Sequence, residues 1–73
     1  MRVNELIALL SQMPATAQVV VKGYEGGMDD VADVKLVQIR RDAHEEWYYG
    51  RHAIDETGDV QAVFIAGLER QPE

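Results

Sequence analysis

Val3, Leu6, Ile7, Leu10 and Met13 recur at steps of three and four, and Leu9 widens the stripe. That spacing is the pattern of an amphipathic helix. Asn4 reads as the N-cap, because its side-chain oxygen can accept from amides one turn inside, with Val3 packing behind it as a staple. Glu5 then sits at the positive end of the helix dipole. Pro14 ends the element, since the residue before a proline disfavours the α region. The pattern predicts a helix over about residues 4 to 12.

After Pro14-Ala15-Thr16-Ala17 the chain turns β-branched, and Gln18-Val19-Val20-Val21-Lys22 reads as a short strand. Three consecutive valines imply that both of its faces are at least partly covered, as in a central strand or an interface. Gly23 to Asp30 reads as a wide turn. Val31 to Arg41 reads as the next strand, with Ala32, Val34 and Leu36 on one parity and Val37 and Ile39 on the other. A bulge near Lys35 to Val37 would reconcile the two registers. Asp42 to Glu46 is polar and turn-like. Trp47-Tyr48-Tyr49, interrupted by Gly50 before Arg51-His52-Ala53-Ile54, has the aromatic content of a pleated surface. Asp55-Glu56-Thr57-Gly58-Asp59 is a second turn. Val60 to Ala66 is the last strand, with Val60, Ala62 and Phe64 on one face and Val63 and Ile65 on the other.

One helix followed by about four strands with short links gives an α+β fold, an N-terminal helix packed on an antiparallel sheet, because parallel neighbours need long crossovers. A single short helix covers only part of such a sheet. A face carrying Val20 or Val63 is left over, and that points to a homodimer.

Length and charge narrow the functional classes. The chain has 73 residues, which is read as one domain over residues 1–73 with a frayed tail at about 68–73. A chain this short buries only about 60% of its unfolded surface. Small domains commonly add disulfides, metals or subunits. There is no cysteine, which removes disulfides and thiolate metal sites. Thirteen acidic against seven basic residues give a net charge of −6, and Arg40, Arg41 and Arg51 are too few for a basic stripe, so direct nucleic-acid binding is not expected. The apolar run Leu6–Leu10 is five residues long, far below the roughly 20 that span a membrane. With no signal-peptide pattern, the expectation is a soluble, cytoplasmic protein with no membrane association.

Candidate chemistry is sparse. Gly23-Tyr24-Glu25-Gly26-Gly27-Met28-Asp29-Asp30 concentrates glycines, an aromatic and three carboxylates. Its spacing does not match an EF-hand, and no lysine and hydroxyl follow the glycines as in a phosphate cradle. It reads first as a hairpin connection. His44 and His52 lack the spacing of a metal motif and read as unpaired surface histidines. Tyr48, Tyr49, Arg51 and His52 form the densest cluster of interface-prone side chains. In a thin sheet one row of this cluster, Trp47 included, is expected to pack inward. Ser11, Thr16 and Thr57 sit in no nucleophile elbow.

The amphipathic helix Leu6 to Pro14, the valine strand Val19 to Val21, the glycine-tyrosine-acid turn Gly23 to Asp30, the element Tyr49-Gly50-Arg51-His52 and the final strand Val60 to Ile65 carry a resemblance. Over nearly its whole length the chain resembles a family of small, uncharacterised bacterial and phage-associated proteins. The resemblance implies a helix-plus-four-strand fold and carries over no activity and no catalytic residue.

These readings lead to a non-enzymatic interaction module with no cofactor and no metal, binding a protein partner or itself. Its candidate binding surface is Tyr24, Glu25, Asp29, Asp30, Tyr49, Arg51 and His52. Two alternatives follow from particular features. The net charge of −6 fits an acidic inhibitor or nucleic-acid mimic of phage origin. Tyr24, Glu25, Tyr49 and His52 would form a small-ligand site only if the glycine turn closes on Tyr49 to His52.

Overall fold

In a computed structural model describing residues 1–69, the chain runs α1 (Val3–Leu10), β1 (Val20–Lys22), a single 3₁₀ turn (Tyr24–Gly26), β2 (Met28–Arg40), β3 (Ala53–Ile54) and β4 (Val60–Gly67). One N-terminal helix and an antiparallel four-stranded sheet make it an α+β fold, as the pattern predicts.

β2 organises the sheet. β1 pairs with its first three residues, β4 with Val31 to Ile39, and β3 with Ile39 and Arg40. Ile39 faces both Ile54 and Val60, so β3 and β4 lie on opposite edges of β2. The carbonyl of Gly27 accepts from Gly23 N–H at 2.8 Å, and that of Asp30 accepts from Leu68 N–H at 2.8 Å. Three residues apart on extended backbone, these carbonyls point to opposite edges, which sets β1 across β2 from β4. β1 and β3 therefore share one edge, with an open slot between them along Val31 to Val37. The bulge lies between Val31 and Asp33, earlier than the alternating pattern predicts. Beyond it, Val34, Leu36, Val63 and Ile65 share one face, and Lys35, Val37, Ile39, Val60, Ala62 and Phe64 share the other.

The helix begins one residue earlier than predicted, and Asn4 is not its cap. Arg2 holds the extended N-cap position, and its backbone N–H donates to Glu5 Oε1 at 2.9 Å. The Glu5 carboxylate thus returns to the cap residue's own amide, not to the first-turn amides assigned to the Asn4 side chain. At the other end, Gln12 and Met13 N–H donate to the carbonyls of Leu9 and Leu10, tightening the chain before Pro14.

Two further boundaries differ. β2 starts at Met28, within the stretch read as turn, because Asp29 and Asp30 lie directly across from Val21 and Val20. The aromatic segment is not a strand: residues 41–52 form an irregular connection, and β3 keeps only Ala53 and Ile54. Asp42, at φ 54°, takes the chain out of the extended region directly after β2. The tail expected at about 68–73 lies outside the described residues from residue 70 on, and Leu68 is tied to β2 by its bond to Asp30.

What these elements do not make is a core. No described hydrophobic residue is buried, and the apolar stripe of α1 is open to solvent, with Ile7 62% exposed. The valines of β1 are only partly covered: Val21 is half-buried and Val20 remains 46% exposed. The accessible surface is 6971 Å², roughly 2,400 Å² more than a compact chain of this mass exposes. The radius of gyration is 14.3 Å, against about 11 Å for a compact domain of this length.

Candidate interaction surface

The glycine-rich stretch is fixed by its backbone. Gly23 N–H closes on Gly27 O, and Gly27 N–H donates to Tyr24 O at 3.1 Å, which confines the connection to Gly23 through Gly27. Gly26 has φ 82°, the left-handed region that glycine enters freely, and Glu25 enters it too at φ 48°. Tyr24 stands at the tip, 87% exposed, and touches no other ring. Asp29 is half-buried beside Gly23, where a Cβ would meet its Oδ2 at 2.7 Å. Asp30 accepts from the Gln18 side chain through Oδ1. Of the three carboxylates, Asp30 thus serves local structure.

Tyr49, Arg51 and His52 lie beyond the far end of β2. The Tyr49 ring stacks on His44 with centroids 4.9 Å apart, Tyr48 tilts against Tyr49 at 5.1 Å, and Trp47 meets Tyr48 edge-on at 5.8 Å. This row does not pack inward: Trp47 is 92% exposed. Arg51 Nε lies 3.6 Å from Asp42 Oδ1, and its carbonyl accepts from His44 N–H. His52 is not unpaired, because its Nδ1 accepts from Asp42 N–H at 3.0 Å. Its lone pair is committed to holding the connection rather than offered to a ligand.

β2 separates the two groups. Glu25 precedes Met28 at one end, and His52 precedes Ala53, whose partner is Arg40 at the other. Thirteen residues of strand, rising roughly 3.3 Å each, lie between them. The turn does not close on Tyr49 to His52, and the small-ligand arrangement of Tyr24, Glu25, Tyr49 and His52 is not assembled. Among the described residues no three histidine, aspartate or glutamate side chains converge as metal ligands. The acids are spread over the helix start, the glycine turn, β2, the 41–52 connection and the turn before β4.

That last turn holds an acid whose titration is shifted. Asp55 Oδ1 accepts from Thr57 Oγ1 at 2.7 Å and from Thr57 N–H at 2.9 Å, and these bonds, aided by Arg40, hold its carboxyl below the usual aspartate range. It is a local brace that touches no other acid.

Comparison of the chain with protein-family models, with curated proteins and with solved structures finds no match in any of the three. No described helix is long and apolar enough to cross a membrane.

The largest chemical feature is apolar. Leu36 is 64% and Val34 59% exposed on one face of the sheet, and the helix stripe is open as well. The sequence reading reached this surface through Val63 and missed its extent. The missed signal was the uncharged stretch Val60 to Leu68, whose backbone carries an open edge as well as open side chains.

Proposed function

We propose that the chain is a non-enzymatic interaction module that completes its hydrophobic core against protein, with a second copy of itself as the partner. One observation carries the reading: the described residues bury no hydrophobic side chain while 47% of the sequence is hydrophobic. A domain in water gains its stability from apolar burial, at roughly 25 cal/mol for each Å² removed. The excess surface of roughly 2,400 Å² exceeds the about 800 Å² that each partner buries in a standard protein interface. Exposed aliphatic side chains are spread over helix and sheet alike, with aromatic ones in the connections, and so broad an apolar surface is the character of an obligate interface.

Sedimentation equilibrium over a hundredfold concentration range tests this. The expected result is a mass at least twice 8.2 kDa, with thermal unfolding that moves to lower temperature on dilution. A constant mass of 8.2 kDa with cooperative, concentration-independent unfolding would overturn the reading.

A further inference from the structure

The sheet has two open edges, and they differ in whether another strand can reach them. The slot along Val31 to Val37 is walled by β1 at one end and, at the other, by β3 and the bond from Asp55 N–H to Gln38 O. A second β2, itself thirteen residues long, would collide with both walls. The Val34 N–H on that edge is also met already, by Asp33 Oδ1 at 2.8 Å, and Asp33 and Lys35 put charges beside it. These are the devices by which proteins blunt an edge.

The outer edge of β4 has none of them. β4 pairs only with β2, and its eight residues, Val60 to Gly67, carry no charge. Its orientation follows from its two ends. Leu68 N–H donates to Asp30 O, which turns the even-numbered residues toward β2. At the start, Gln38 O accepts from Asp55 N–H on the β3 side, so Ile39 turns to β4 and faces Val60. Both ends agree, and Gln61, Val63 and Ile65 direct their N–H and C=O groups outward. Among the described residues no hydrogen bond outside the β2 ladder reaches these three.

We propose that β4 is the pairing edge: two copies join antiparallel along β4, with Val63 facing Val63 of the second copy across a two-fold axis. The proposal rests on the self-association reading above and adds where the copies meet. Each copy carries a net charge of −6, so contact between copies is least costly at an uncharged strand. A basic partner would find no carboxylate on this edge. With Val63 on the axis, Val60 to Ala66 pair over their whole length, and Phe64 lies opposite Ala62 of the second copy, large against small. The joined sheet runs β2-β4-β4-β2, and the apolar faces around Val34, Leu36, Val63 and Ile65 become continuous.

The absence of native cysteine gives a direct test. Residues facing each other in a hydrogen-bonded antiparallel pair have Cα atoms about 5.5 Å apart, within disulfide range. Under mild oxidation Val63→Cys is expected to form a covalent dimer, and Val34→Cys, in the blocked slot, is expected to stay uncrosslinked on a denaturing gel. A second variant, Val63→Pro, removes only an outward N–H and leaves the β2–β4 ladder bonded. It is expected to keep the sheet's circular dichroism while weakening association at least about tenfold. A dimeric wild type in which Val34→Cys crosslinks and Val63→Cys does not, or neither does, overturns the β4 edge and leaves self-association standing. A monomeric wild type overturns both.

Discussion

The turn after β3 and the connection before it make an instructive pair. Asp55 to Asp59 contains no large apolar residue, yet Asp55, Thr57 and Gly58 within it are all tied by hydrogen bonds. Gly58 N–H donates to Asp55 O at 2.8 Å, Thr57 braces Asp55 twice, and Arg40 approaches the same carboxyl at 3.8 Å. The connection at residues 41–52 holds the only tryptophan and two of the three tyrosines, and those rings pack mainly on one another. Order in this chain follows backbone hydrogen bonds and short polar side chains. Apolar bulk contributes little until something covers it.

That contrast can be broken at its strongest point first. A Cβ at Gly58 would lie 2.2 Å from Ile39 O and 2.4 Å from its carbonyl carbon, backbone atoms that cannot swing away. Gly58→Ala is expected to cost about 3 kcal/mol or more in urea unfolding at fixed protein concentration. A loss below about 1 kcal/mol would mean that the turn is not pressed against β2 as described.

Acid gives a smaller effect on the same turn. The Asp55 pKa is lowered in the folded chain, first by the Thr57 hydroxyl. Its contribution is therefore complete above the unfolded aspartate value of about 3.9 and fades as pH falls through the lower folded value. Thr57→Val is expected to flatten the stability curve in that acid range and to leave it unchanged near neutrality in shape. An identical acid limb in both proteins would remove the brace from the account.

The smallest expected effect sharpens the comparison from the other side. Trp47→Ala is expected to change unfolding stability by no more than about 0.5 kcal/mol, because the side chain is almost wholly exposed. A loss above about 2 kcal/mol would show that the aromatic connection is covered in solution, and would extend the proposed interface beyond the sheet.

Periodicity made the helix, the valine strand and the last strand legible, since each repeats at the period its backbone imposes. The start of β2 was hidden, because Met28-Asp29-Asp30 owes its strand conformation to partners in β1 and not to its own propensity. Trp47 to Tyr49 misled for the opposite reason: strong intrinsic β preference with no strand alongside to pair. The glycine turn was recognisable as a turn from composition. Its separation from Tyr49 to His52 depends on the length of β2, which the sequence reading began three residues late.

The role of β2 as sole partner of the other strands also orders the folding of the chain. β1 reaches β2 through the short Gly23–Gly27 link, and such hairpins close in about 1 to 10 μs. β4, the last strand in chain order, must return across the whole 41–59 stretch before Val60 meets Ile39. Loop-closure entropy makes that step the later one. The uncharged edge is therefore built last, and it becomes a straight, correctly facing template only after β2 has taken its other side. Delay of this kind leaves the register of β4 to be set by β2 before its outer edge is complete.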